Sequence, residues 1–217
     1  NPAADYMAQY ALSHGPRLDA IAARYDLKSL RGRVLDVGGG LGFLGNRLDR
    51  SVEYLVIDGA NVTMATRVCP NMAFRSYDID RDPFGDKALS MGESLFDICF
   101  FLETLEHISS PHNALVEIKK LVKPDGLIHI SIPTETVWHN APYPTLLWPE
   151  NPNFRLFLQQ MALPIIDFFH YQPATVGWPA YHYVCRNAAW TENPNRLLFP
   201  KTEGKFLGAS PLEATNL

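Results

Sequence analysis

The segment from Arg33 to Gly45 constrains the fold more than any other part of the chain. Its run VLDV places apolar residues on both sides of Asp36, and glycines follow at positions 38, 39, 40 and 42. This pattern predicts a buried strand that ends in a tight turn and opens a helix. Backbone N–H groups in such a turn can approach a ligand closely, and a helix N-terminus adds partial positive charge. We therefore expect a nucleotide-like ligand at this turn.

Short apolar strands alternate with helical segments along most of the chain, which indicates βαβ units and a mostly parallel sheet. The last two predicted strands are expected to pair with each other in antiparallel orientation at the edge of the sheet. Gly15–Pro16 is expected to divide the N-terminal helical region into two helices. The predicted strands are 33–37, 53–57, 73–77, 95–101, 127–132, 165–171 and 181–185, and the predicted helices are 4–25, one starting at 43, 60–68, 111–121 and 153–162.

Composition and charge exclude several classes of protein. The 217 residues carry a net charge of −4, which argues against a nucleic-acid partner. No apolar run reaches the length of a membrane span, and the first five residues do not resemble a signal peptide. The three cysteines, Cys69, Cys99 and Cys185, are scattered, so we expect reduced thiols, no metal site and a cytoplasmic location.

Two patterns compete at the glycine turn. Gly40 to Gly45 satisfies GxGxxG, and Asp58 follows Gly40 by 18 residues, which fits an NAD-dependent oxidoreductase. The acid at Asp36 followed by glycines at positions 38, 40 and 42 fits a second pattern, DxGxGxG. The glycines alone do not decide between them.

Five ordered motifs between residues 30 and 135 resemble the class I S-adenosylmethionine-dependent methyltransferases, of the small-molecule type. The fold that this resemblance implies is a doubly wound, mostly parallel, seven-stranded Rossmann-like α/β sheet with an antiparallel closing strand. Gly39 and Asp125 differ from the residues that are usual in this family at these positions. Neither position is one that the resemblance assigns to the cofactor. The motifs are VLDVGGGLG at 34–42, YLVID at 54–58, YDID at 77–80, FDICFFLETLEH at 96–107 and LVKPDGLIHISIP at 121–133.

The resemblance assigns the cofactor contacts of the first two strands. Gly38 and Gly40 let the methionine end of S-adenosylmethionine lie against the backbone. Asp36 either orients the loop or meets the methionine ammonium through water. Asp58, at the strand end before Gly59, accepts hydrogen bonds from the ribose hydroxyls; its alternative is a turn-capping role.

The next two strands complete this set of contacts. Asp78 would accept a hydrogen bond from the adenine amino group, while Ile79 packs near the adenine ring. The alternative for Asp78 is a structural role as an acidic residue in a turn. Phe101, Leu102 and Glu103 lie at the carboxyl end of the fourth strand, where doubly wound sheets bind ligands.

Two of the seven histidines are candidate general bases for an oxygen or nitrogen acceptor. His107 follows the fourth strand; its alternative role is structural, as a residue at the start of a helix. His139 lies after the fifth strand, where related enzymes bind acceptors. His129, His170 and His182 are expected to be structural strand residues. The sequence gives no argument for the other two, His14 and His112.

Trp138, Tyr143 and Trp148 are candidates for the walls of an acceptor pocket, or for a lid or dimer contact. The expected organisation is N-terminal helices covering the active site (1–30), a methyltransferase domain (31–187, with a substrate-side insert at 133–153) and an irregular tail (188–217). We expect a small-molecule methyl acceptor, a sugar or aromatic hydroxyl before an amine. The alternatives are an NAD-dependent oxidoreductase and a non-catalytic S-adenosylmethionine-binding protein, and homodimerisation is left open.

Overall fold

The computed structural model describes residues 2–59, 72–79, 95–134, 151–174 and 178–189. Apolar strands and amphipathic helices alternate along them, as the sequence pattern predicts. Three α-helices are seen: α1 (Pro2–Tyr25), α2 (Pro111–Leu121) and α3 (Asn151–Gln160). Seven strands are seen: β1 (Arg33–Val37), β2 (Glu53–Asp58), β3 (Ala73–Ser76), β4 (Phe96–Leu102), β5 (Val122–Pro133), β6 (Ile165–Tyr171) and β7 (Ala180–Arg186).

The seven strands form one sheet in the order β3-β2-β1-β4-β5-β7-β6. The pairs from β3 to β5 are parallel, whereas β7 runs antiparallel to both β5 and β6. The predicted doubly wound sheet with an antiparallel closing strand is therefore confirmed. None of the helices in the described ranges is both long and apolar enough to cross a membrane.

The central strands are buried on both faces of the sheet, to which alternate residues of a strand point. On one face, Leu35 of β1 and Phe101 of β4 share a core with α2 and α3. On the other, Val34 and Phe100 of the same strands share a core with Leu18 and other residues of α1. This two-sided burial explains the near-continuous apolar runs of the central strands.

The predicted break at Gly15–Pro16 is wrong, because α1 is one helix of 24 residues that contains Pro16. An interior proline removes the hydrogen bond to the carbonyl four residues earlier, which belongs to Leu12. Leu12 is 67% exposed, so water can replace that bond. The C-terminal half of α1 is meanwhile fixed by burial of Leu18 and Ile21. Packing of this half outweighs the local preference of the proline.

Two other segments differ from the sequence prediction. The helix expected from Phe43 is only a five-residue 3₁₀ helix, Phe43–Arg47, and α1 covers that face of the sheet instead. The fifth strand, predicted at 127–132, begins at Val122 in the structure, and residues 123–126 lie inside β5 where the register shifts between Phe96 and Ile98 of β4. The helix predicted at 60–68 and most of the tail at 188–217 lie outside the described residues.

Candidate active site

The reversal of strand order between β1 and β4 fixes the position of the candidate site. β2 and β3 lie on one side of β1, while β4 and β5 lie on the other. The connections from β1 and β4 therefore leave in opposite directions and open a crevice at the carboxyl ends of these strands, which is where such sheets bind ligands. The glycine turn and the segment after β4 meet at this point.

Gly38, Gly40 and Gly42 all have left-handed backbone conformations, with φ of 68°, 55° and 73°. A side chain would also find no room at Gly38, because a Cβ there would lie 2.3 Å from Cγ2 of Thr104. Glycine is thus required by both backbone geometry and close packing. The turn brings its backbone to the surface of the crevice without side chains in between.

Asp36 lies directly beneath this turn. Its carboxyl group is buried and accepts a hydrogen bond from the Tyr54 hydroxyl. A Cβ on Gly39 would lie 2.5 Å from Cγ of Asp36, so the loop rests on this carboxyl group. Burial raises the pKa of Asp36 to about 7 against the hydrogen bond from Tyr54, and the charge of Asp58 raises it further.

Asp58, at the end of β2, is joined to the glycine turn. Its Oδ2 accepts a hydrogen bond of 2.8 Å from the backbone N–H of Gly40. The next residue, Gly59, is exposed, and no atom of the described residues lies within 4 Å of where its Cβ would be. On the neighbouring strand, Asp78 and Ile79 follow β3, with Ile79 packed against the core. The predicted ribose and adenine acids therefore lie after adjacent strand ends, as the sequence order requires.

The three residues predicted at the end of β4 have different environments. Phe101 is fully buried in the core on the side of α2, so only its backbone can face the crevice. Leu102 is buried on the opposite face. Glu103 has a φ of 49°, and its N–H donates to the backbone and hydroxyl oxygens of Ser131. This constrained turn fixes where the Glu103 carboxylate points.

Arg17 of α1 forms an ion pair of 3.2 Å with Glu103, and both side chains are more than nine-tenths buried. Within the described residues, Nε of Arg17 and Oε1 of Glu103 have no hydrogen-bond partner. Glu106 is also buried, and burial together with the charge of Glu103 raises its pKa well above its usual range. Unmatched polar atoms of this kind are rare in a folded protein and indicate a place for a polar ligand.

Of the two candidate bases, His107 lies within the described residues. His107 lies in the 3₁₀ helix Leu105–His107, with its side chain 20% exposed and its Nε2 3.8 Å from Oε1 of Glu106. It follows Glu103, the partner of Arg17, by four positions along the chain. His139 and the predicted aromatic wall, Trp138, Tyr143 and Trp148, lie outside the described residues, so these assignments stay predictions.

Residues of α1 that the sequence did not assign to the site border it. Tyr10 lies over Gly40, with its hydroxyl 3.3 Å from the position of a Cβ there, and its ring stacks on Phe43 at 5.1 Å. His14 contacts Tyr10 and accepts a hydrogen bond of 3.3 Å from Arg17. The spacing 10, 14, 17 places these side chains on one helical face, which is the only sequence signal that could have found them.

Two other histidines, His129 and His182, are accounted for by packing. His129 of β5 and His182 of β7 are buried and share a hydrogen bond of 3.1 Å. Burial lowers the pKa of His129 to about 3, and burial, followed by the charge of its partner, also lowers the pKa of His182. Both are neutral structural residues, as the sequence suggested. In the described part of the chain, no group of three or more His, Cys, Asp or Glu side chains could hold a metal ion.

The site fits S-adenosylmethionine better than a dinucleotide. A pyrophosphate needs the N-terminus of an α-helix after the glycine turn, where aligned N–H groups carry positive charge. This chain has only the 3₁₀ helix Phe43–Arg47 there, and Asp58 already accepts from the N–H of Gly40. The side-chain-free turn and the unmatched oxygen of Glu103 suit an amino acid end carrying an ammonium group.

A family model described as "Methyltransferase domain" matches residues 7–172. The chain belongs to this family. The match covers all five motifs and begins inside α1, so the predicted resemblance and S-adenosylmethionine as the cofactor are confirmed. The NAD alternative loses its basis, because the first two glycines of GxGxxG, Gly40 and Gly42, belong to the methyltransferase motif at 34–42. The predicted division at residues 30 and 187 stays a prediction.

The chain is similar to a ubiquinone biosynthesis O-methyltransferase from Maricaulis maris, with 31% identity over 98 residues. That alignment covers 44% of this chain and only 38% of the relative. Among solved structures, the N-methyltransferase NodS from Bradyrhizobium japonicum has a TM-score of 0.61 at 14% identity, over 81% of this chain and 97% of its own. A 1,6-didemethyltoxoflavin-N1-methyltransferase from Burkholderia thailandensis, solved with that compound and S-adenosylhomocysteine, has a TM-score of 0.58 at 19% identity, covering 86% and 87%. At these identities the structures establish the fold alone.

Proposed function

We propose that this protein transfers a methyl group from S-adenosylmethionine to a hydroxyl group, or next an amine, of a small molecule such as a sugar or aromatic metabolite. The observation that carries the proposal is the way α1 closes over the crevice. Tyr10 covers Gly40 and Arg17 reaches Glu103, so α1 restricts access to the glycine turn from its own side. Restricted access on this side favours a small acceptor over a folded macromolecule.

The bound cofactor supplies an electrophilic methyl group on a sulfonium. The protein's contribution is mainly to bind and align the two reactants. Asp58 offers a carboxylate for the ribose hydroxyls, and its tie to Gly40 holds it against the turn. Gly38 and Gly40 admit the methionine end, and Asp78 with Ile79 lies where the adenine is expected.

The Arg17–Glu103 pair offers opposite charges beside the turn, a guanidinium for a carboxylate and a carboxylate for an ammonium. The backbone of Phe101 and the side chain of Leu102 line the adjoining strand end. We assign the role of general base to His107 or His139, and the acceptor walls to Trp138, Tyr143 and Trp148. The names of the relatives support both acceptor types, since one is an O-methyltransferase and two are N-methyltransferases.

The test is transfer of a labelled methyl group from S-adenosylmethionine to a panel of hydroxylated aromatic compounds, sugars and small amines. We expect label in at least one hydroxyl-bearing compound, and slower transfer at subsaturating S-adenosylmethionine in Asp58→Ala. Asp49→Ala is the matched control. Asp49 accepts hydrogen bonds from Ser51 in the loop before β2, at the amino end of this strand and away from the crevice. Cofactor binding without transfer to any acceptor would favour the non-catalytic alternative, and transfer only to nucleic acid or protein would contradict the proposal.

A further inference from the structure

Tyr54 and Asp36 form a buried pair that the cofactor contacts do not explain. Tyr54 lies on β2, pairs with Val34 of β1 in the sheet register and shares a core with it on the α1 side. Its ring extends toward the carboxyl ends of the strands, and its hydroxyl donates a hydrogen bond to Oδ2 of Asp36. The side chain joins β2 to the support of the glycine turn.

The carboxyl group of Asp36 has few means of carrying a negative charge in the free protein. Asp36 is only 3% exposed. Among the residues that the structure describes, the ionisable groups that act on Asp36 are Tyr54 and Asp58 of β2 and Cys99 of β4, and none of these is a cation. A buried carboxylate is stabilised only by hydrogen bonds or opposite charge. The Tyr54 hydroxyl is therefore its main support.

We propose that Tyr54 is a positioning residue that couples cofactor binding to release of a proton from Asp36. This inference rests on the proposed binding of S-adenosylmethionine at the glycine turn. The cofactor brings a sulfonium and an ammonium to a turn that rests on Asp36. Positive charge at that place favours the ionised carboxylate, and Tyr54 holds this carboxylate under the loop by donating its hydroxyl hydrogen. The proton leaves to solvent, and no covalent bond other than O–H changes.

The coupling has a defined pH dependence. With a pKa of about 7 for Asp36, the ionised fraction in the free protein rises about ten-fold between pH 6 and pH 8. If the ionised form is the one that binds, affinity for S-adenosylmethionine rises by up to about the same factor. Removing one hydrogen bond to the carboxylate raises its pKa by about one unit. At pH 7 this weakens binding about five-fold, whereas at pH 9 affinity returns to that of the unchanged protein.

Calorimetric titration of S-adenosylmethionine from pH 6 to pH 9 tests the proposal on three variants. Tyr54→Phe should shift the rise in affinity to higher pH. Asp36→Asn should abolish that part of the rise, while Glu106 and the cofactor amino group still titrate. Tyr183→Phe is the matched control, because it removes a fully buried tyrosine hydroxyl on the other face of the sheet and should leave the profile unchanged.

A second measurement needs no variant. Titration at pH 7 in two buffers of different ionisation enthalpy should show release of about half a proton on binding. Equal weakening at every pH in Tyr54→Phe, or no proton release from the unchanged protein, would overturn the coupling while leaving the proposed function intact. Absence of cofactor binding at every pH would instead overturn the proposed function, and the coupling with it.

Discussion

The buried pair His129–His182 leads to a quantitative prediction about acid stability. His129 is 2% exposed, and burial lowers its pKa from 6.5 to about 3. Between these values the unfolded chain binds a proton that the native protein does not bind. Full stability is thus retained above pH 6.5 and is lost as the pH falls from 6.5 toward 3. His182 acts in the same direction, since its pKa is also lowered by burial.

The expected magnitude depends little on the native pKa. At pH 5 the native His129 is still neutral, so the loss is set by the distance of 1.5 units from the ordinary value of 6.5. At about 1.4 kcal/mol per unit, His129 alone costs roughly 2 kcal/mol of unfolding free energy between pH 7.5 and pH 5. The raised pKa values of Asp36 and Glu106 act oppositely, because these groups gain protons in the native state as the pH falls. The whole-protein profile therefore mixes both effects, and a variant is needed to separate them.

His129→Asn keeps a polar atom near the position of Nδ1 but cannot titrate. Urea unfolding followed by circular dichroism at pH 7.5 and pH 5 gives the stability difference between this variant and the unchanged protein. That difference should move by about 2 kcal/mol in favour of the variant at pH 5. His112→Asn, at an exposed position of α2, is the matched control and should move by less than about 0.5 kcal/mol. A constant difference for His129→Asn would show that the native histidine pair accepts protons, and the reasoning from burial would fail.

Three further changes test the site and the placement of α1. Asp58→Ala should weaken binding of S-adenosylhomocysteine by about 1–3 kcal/mol in calorimetry, because buried polar groups lose their partner; unchanged affinity would remove Asp58 from the ribose assignment. Arg17→Ala should lower unfolding free energy by about 3–5 kcal/mol, and adding Glu103→Gln should restore most of it, since the unpaired buried charge is then gone; an equal loss in both would mean that the Arg17 stem, not its charge, matters. Arg24→Ala removes a bidentate ion pair with Asp167, but both side chains are 31% exposed. Thermal unfolding should therefore show a loss of about 1 kcal/mol or less in unfolding free energy, and a larger loss would contradict the argument that solvent weakens this exposed pair.

The strands could be predicted from the sequence because their signals are local. The apolar runs of β2 and β4, and the glycines after β1, fix an element and its end without reference to the rest of the chain. The order of the acids follows from this, since Asp58 comes directly at the end of β2. The same locality made the prediction at Pro16 wrong, because the anchoring of α1 by Leu18 and Ile21 depends on a distant sheet.

The partners of buried polar groups could not be predicted in this way. Arg17 lies 86 positions before Glu103, and no spacing rule connects a helix residue to a strand end that distant. In the sequence, Tyr54 is recognisable only as part of an apolar strand, although its hydroxyl supports Asp36, which lies 18 positions earlier. Such pairs depend on how elements pack, which a pattern along the chain does not encode.

The charges in this crevice favour S-adenosylmethionine over a dinucleotide at the GxGxxG turn. In this crevice Asp36, Asp58, Glu103 and Glu106 gather near the ends of β1, β2 and β4, with Arg17 paired to one of them. Burial already holds the pKa of Asp36 and Glu106 above their usual range, so an anionic pyrophosphate would add repulsion where negative charge is least supported. A ligand with a sulfonium and an ammonium reverses that balance, because each positive charge favours a carboxylate that the protein alone holds poorly. The glycines make room for a cofactor, and the buried acids around them select a cation.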